Sequence, residues 1–160
     1  MSLPETKTAW IFPGQGSQCV GMGRELAEKF PAAAGILRRA DAALGFSLSK
    51  LCFEGPEEAL RQTENTQPAL YAVSCATCEV LRSLGAAEPA AVAGHSLGEY
   101  SALYAAGAVD FETGLQLVRQ RGEAMAAAGR ERPGAMAAVI GLDGARVAEI
   151  CANAAAAGGV

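Results

Sequence analysis

Residues 91–100 read Ala-Val-Ala-Gly-His-Ser-Leu-Gly-Glu-Tyr, and this stretch limits the folds open to the chain more than any other. A short run of small apolar residues suits a strand, and Leu97, Ser101, Ala102 and Ala105 follow at helical spacing. Between them stands Gly94-x-Ser96-x-Gly98, the pattern of a nucleophile elbow, in which a serine occupies a sharp strand-to-helix turn. Such a turn strains the serine backbone, and the flanking glycines let strand and helix pass close together. Ser96 Oγ is thereby lifted off the sheet edge. The N–H of Leu97 then sits at a helix start, where unpaired donors and the helix dipole favour a developing oxyanion. Ser96 is the candidate nucleophile; the plainer alternative is a structural serine that opens a helix.

The order of elements around this turn predicts an α/β fold with a parallel sheet. Residues 8–12 are β-prone and stopped by Pro13, and a turn-rich loop follows at 14–18. A dinucleotide fingerprint would need a small third residue where Cys19 stands, so that reading is weak. The loop can instead turn backbone N–H groups toward the C-terminal edge of the sheet, where Ser96 also points, making Gln15 a candidate second oxyanion donor. Residues 22–44 suit two helices broken near Pro31 and stopped at Gly45, with further helical turns at 47–53 and 57–61. A long helix to about Leu84 is predicted to start with Thr66 as N-cap and Pro68 in its first turn. The strand at 90–94 feeds the elbow.

Helix 111–128 carries Phe111, Leu115, Val118, Gly122 and Met125 on one face, with Arg119 and Arg121 flanking that stripe on opposite sides. Periodicity does not choose between the two arginines. Whichever turned inward would need a carboxylate, because an unpaired buried charge costs several kcal/mol. Residues 129–134 read as a boundary. Beyond them a strand at 135–142 and a helix at 143–157 are expected, with Asp143 as N-cap and Val147 and Ile150 facing inward. A strand and a helix are not stable by themselves, so the sequence looks cut short.

Composition excludes several classes. A net charge of −4 with scattered arginines leaves no basic stripe for nucleic acid. No uncharged run is long and apolar enough for a membrane span, and the first eight residues have no secretory h-region. Five cysteines without an export signal read as reduced cytoplasmic thiols. Cys75-x-x-Cys78 lies in a helical pattern with no second pair and no histidine near, so buried small hydrophobes are expected there and no metal.

A serine nucleophile needs a base, usually histidine. His95 is the one histidine of the sequence. Adjacent residues at a strand end project to opposite sides, so His95 is expected to pack or hydrogen-bond beneath the elbow rather than take the Ser96 proton. The base would then come from residues outside these 160.

Five separated motifs occur in order: Phe12-Pro13-Gly14-Gln15-Gly16-Ser17-Gln18, Thr66-Gln67-Pro68-Ala69, Gly94 through Leu103, Arg121-Gly122 and Gly134-Ala135-Met136. From about Thr8 onward the chain resembles the malonyl-CoA:acyl-carrier-protein transacylases of bacterial fatty acid synthesis and the acyltransferase domains of polyketide synthases. The resemblance implies a hydrolase-like parallel sheet core, begun by residues 1–128, and the first strand and helix of a ferredoxin-like small subdomain at 129–160. It implies a cytoplasmic enzyme that moves malonyl from coenzyme A to the phosphopantetheine thiol of an acyl carrier protein. Ser96 would be the nucleophile, the Gln15 and Leu97 amides the oxyanion hole, and Arg121 the cation that pairs with the malonyl carboxylate. Malonyl-CoA and the carrier protein would be its partners, with no cofactor or metal, no nucleic acid and no membrane. The family's general-base histidine matches no position here, so the resemblance implies an N-terminal portion that is inactive by itself. Two other readings share the elbow: a serine esterase of the α/β-hydrolase type, which needs no arginine clamp, and a carrier-protein-binding fragment without catalysis.

Overall fold

The computed structural model describes residues 7–132, 134 and 139–157. Strands β1 (Ala9–Phe12) and β2 (Ala91–Gly94) pair in parallel, with Ala9 opposite Ala91 and Phe12 opposite Gly94. Parallel neighbours need a crossover connection. Here it holds α1 (Arg24–Lys29), α2 (Pro31–Leu44), α3 (Leu48–Glu54), α4 (Glu57–Arg61) and α5 (Thr63–Ser83). After β2 come α6 (Gly98–Ala105), α7 (Phe111–Glu131) and α8 (Gly144–Ala156). The chain is thus an α/β protein with a small parallel sheet. Pro31 opens α2 and Gly45 caps it in the left-handed conformation, as their positions in sequence predict.

Helix α5 is the centre of the core. Every residue from Thr66 to Ala72 is buried, which happens only when a helix is covered on all sides. α2 and α7 are its main neighbours, and α3, α4 and α6 pack on it as well. Ile36, Leu37, Leu48, Leu60, Leu97, Leu115 and Val118 fill the space between them, each contributing about 1.5–3 kcal/mol of apolar burial. Tyr71 stacks on Phe111 with centroids 5.7 Å apart, and Tyr104 meets both rings edge-on. Cys75 and Cys78 are buried on α5, and burial pushes the Cys78 thiol up to about 11, so both pack as small apolar groups. No helix among the described residues is long and apolar enough to cross a membrane.

Four expectations need correction. α5 starts at Thr63 with Gln62 as N-cap, one turn before Thr66, and Pro68 lies inside the helix. Thr66 is buried, its hydroxyl donating to Leu60 O at 2.5 Å. A proline inside a helix removes the N–H that would pair with the carbonyl four residues back, here Glu64 O. Arg119 Nη1 donates to that carbonyl at 2.8 Å, so the lost bond is replaced from α7.

Met125 sits on the predicted face of α7 yet is 37% exposed; its sulfur meets the Gln67 carboxamide of α5, and Gly122 is the last buried residue of the helix. Finally, α8 has no buried residue: Val147 is half-buried and Ile150 is 45% exposed, since none of the described elements covers its apolar face. Its N-cap is as expected, with the Asp143 carboxylate accepting from Arg146 N–H at 2.8 Å. Of the strand expected at 135–142, residues 135–138 lie outside the described residues, and 139–142 form no strand.

Candidate active site

β1 and β2 end at the same sheet edge, with Phe12 beside Gly94. The His95 N–H donates to Phe12 O at 3.1 Å and extends the pairing by one residue. The chain then turns sharply. Ser96 has φ of 55°, and among the described residues it is the non-glycine residue in the left-handed region. That conformation costs about 1–3 kcal/mol and persists only where the surroundings impose it. They do so by backbone crossing: a Cβ on Gly94 would lie 2.0 Å from the Gly98 carbonyl, and one on Gly98 would lie 2.4 Å from Phe12 O. The buried Leu97 side chain anchors the turn from below, while Ser96 is exposed.

The loop after β1 leans on this turn. A Cβ on Gly14 would lie 2.5 Å from His95 Nδ1 and 2.7 Å from His95 O. Gln15, the next residue, commits its carboxamide to Thr63 Oγ1 on α5 at 3.1 Å, so its backbone N–H is the donor it can offer at the sheet edge. Among the described residues, neither the Gln15 N–H nor the Leu97 N–H donates to a backbone carbonyl. His95 is exposed with its ring against Gly14, on the side of the β1 loop, rather than packed beneath the elbow as expected.

The geometry separates the two arginines of α7. Gly122 lets α7 approach the first turn of α5, where a Cβ would lie 2.9 Å from Glu64 Cα and from Thr63 O. On one side of this crossing Arg119 binds Glu64 O, Asn65 Oδ1 at 3.1 Å and Glu123, with its guanidinium over Phe46. On the other side Arg121 Nη2 donates to Ser96 Oγ at 2.9 Å, and Nη1 donates to Gln67 Oε1 at 2.8 Å. Among the described residues Arg121 has no carboxylate partner. A guanidinium beside a hydroxyl, with its charge uncompensated, can receive an anionic group there. Arg119 is structural: Arg119→Met is expected to leave Glu64 O unpaired and lower stability by about 1–3 kcal/mol, read as a lower urea midpoint.

Gln67 is the site residue that sequence reading did not single out. It is fully buried on α5 and hydrogen-bonded to Arg121. Starting the helix at Thr66 places Gln67 in an open first turn, whereas the observed start one turn earlier brings it into the core. The available signal was a long polar side chain just ahead of the apolar run at 68–73.

The fold and this edge define an α/β protein that presents a serine at a strand-to-helix bend, hydrogen-bonded to an arginine that has no carboxylate partner among the described residues. The family described as "Acyl transferase domain" matches residues 9–157, and the chain belongs to it. The chain is 49% identical over 150 residues to the malonyl CoA-acyl carrier protein transacylase of Escherichia coli strain K12, covering 94% of this chain and 48% of that protein. Among solved structures, the malonyl CoA-acyl carrier protein transacylase of Coxiella burnetii aligns with a TM-score of 0.87 at 44% identity, covering 92% of this chain and 47% of that one. A malonyl-transacylase solved in complex with its type II PKS acyl-carrier protein aligns with a TM-score of 0.85 at 42% identity, covering 94% and 48%. The chain therefore spans about half the length of these transacylases.

Proposed function

We propose that this chain carries the nucleophile-bearing part of an enzyme that moves malonyl from malonyl-CoA to the phosphopantetheine thiol of an acyl carrier protein, in fatty acid or polyketide synthesis. The observation that carries the reading is the Arg121 guanidinium, 2.9 Å from Ser96 Oγ and with no carboxylate partner among the described residues. A fork of N–H donors fits a carboxylate, and an acetyl group would leave it unpaired. Ser96 Oγ attacks the thioester carbonyl and gives up its proton to a base. The carbonyl oxygen takes the negative charge, held by the Gln15 and Leu97 amides, each such donor being worth about 10²–10³ in rate. The C–S bond then breaks, coenzyme A leaves as the thiol, and the carrier thiol takes the malonyl group by the same steps reversed. The thioester supplies the activation, so no cofactor or metal is needed.

His95 packs on Gly14 rather than on Ser96, which supports a base supplied from outside these 160 residues. Two strands are too few for an independent sheet, and Ile11 on β1 is 79% exposed, which supports a larger hydrolase-like core begun by residues 1–128. None of the described elements covers the apolar face of α8, which supports a further packed element there, as a ferredoxin-like small subdomain begun at 129–160 would supply. The free thiols fit a cytoplasmic setting.

The test is intact mass after incubation with malonyl-CoA, on this chain and on the product of its complete reading frame. The complete product is expected to gain one malonyl group and lose it on addition of a phosphopantetheinyl carrier protein. The 160-residue chain is expected to gain little or none. Fast acylation and turnover by the 160-residue chain would contradict the placing of the base.

A further inference from the structure

We propose that Gln67 is a positioning residue that keeps the Arg121 guanidinium aimed while leaving its charge uncompensated, and so sets the preference for an acyl group bearing a carboxylate; this rests on the malonyl-transfer reading above. Gln67 is 0% exposed, and both ends of its carboxamide are engaged from α7. Oε1 accepts from Arg121 Nη1 at 2.8 Å, and Nε2 donates to Met125 Sδ at 3.2 Å. The orientation is forced, because a guanidinium has only donors and must face the oxygen. Met125 occupies the position one turn beyond Arg121, so a single amide on α5 ties down two residues of α7.

The chemistry of the tether matters as much as its position. A carboxylate at this point would pair with Arg121 and cancel the charge that a substrate carboxylate must meet. A carboxamide accepts the same hydrogen bond and leaves the charge in place. With Nη1 on Gln67 and Nη2 on Ser96, two of the five guanidinium N–H groups are used and three remain for the acyl carboxylate.

The experiment compares the complete reading-frame product with its Gln67→Glu, Gln67→Met and Arg121→Ala forms. For each, kcat/KM is measured with malonyl-CoA and with acetyl-CoA, alongside the thermal midpoint. The ratio of the two substrates is the readout, since a merely structural role would lower both together. Gln67→Glu is expected to lower the malonyl-to-acetyl ratio by about tenfold or more, through the malonyl KM, and Gln67→Met by a few fold. If folded Gln67→Glu keeps the parent ratio while Arg121→Ala loses it, the proposal is overturned and malonyl transfer stands. If the parent protein shows no malonyl preference and Arg121→Ala changes nothing, both readings fall. Should Gln67→Glu not fold, Gln67→Met decides: an unchanged ratio overturns the proposal, and a reduced one supports it.

Discussion

Gly94→Ala is expected to destroy the elbow and to destabilise the chain by more than about 4 kcal/mol, at the extreme end of single substitutions. The added methyl would stand 2.0 Å from the Gly98 carbonyl and 2.3 Å from Glu99 N, all of it backbone, so no side chain can swing aside. Relief would require β2 and α6 to separate. That would release the strain holding Ser96 in the left-handed region and move the Leu97 amide away from the sheet edge. Gly35 is the contrast: it lies inside α2 with open space around its Cβ position. Gly35→Ala is expected to stabilise by about 0.5–1 kcal/mol, because alanine loses less backbone freedom on entering a helix. Urea midpoints of the two variants should therefore move in opposite directions. A Gly94→Ala chain that unfolds at the parent midpoint would show that the crossing is not what shapes the turn.

Arg121→Ala is expected to lower kcat/KM for malonyl-CoA by about 10²–10³ in the complete protein, the loss expected when one partner of a hydrogen-bonded charge pair is removed from a site that the bound substrate closes. Acetyl-CoA should lose far less, since its methyl group makes no use of the guanidinium and only the Arg121–Ser96 hydrogen bond is lost. The ratio of the two substrates, rather than either rate, carries the information. Arg121→Lys should fall between the two, because an ammonium keeps the charge but cannot present the planar fork. Unchanged activity on uncharged esters, together with no malonyl transfer in the parent protein, would favour a hydrolase instead. The same substitution frees Ser96 Oγ and Gln67 Oε1 from their bonds to Arg121. A small fall in stability is therefore expected as well, and it would affect both substrates alike.

What could be read from the sequence was what depends on near neighbours. The demand for glycine at 94 follows from the five residues of the turn itself, and the strand, loop, helix order around it follows from local pattern; the pattern marks glycine at 98 as well, although the backbone it must clear there is Phe12 O on β1. The start of α5 was misread because the tolerance of Pro68 depends on Arg119, whose partner Glu64 is 55 residues away. The same tertiary crossing divides the two arginines. Pro68 frees Glu64 O, which takes Arg119, and Gln67 takes Arg121 on the other side. Periodicity along α7 contains none of this, and only the family resemblance selected Arg121. Gln67 escaped notice because its importance comes from burial between two helices, which a shifted helix start conceals. Ile150 was expected inward because its spacing is right, yet an apolar face is buried only where another element covers it.

The most direct measurement is to locate the acyl group: incubate the complete protein with malonyl-CoA, digest it, and map the added mass by tandem mass spectrometry. The malonyl group is predicted on the peptide containing Ser96, with none in the Ser96→Ala protein. An adduct on any other residue, or one that persists in Ser96→Ala, would contradict the assignment of this hydroxyl as the acyl carrier.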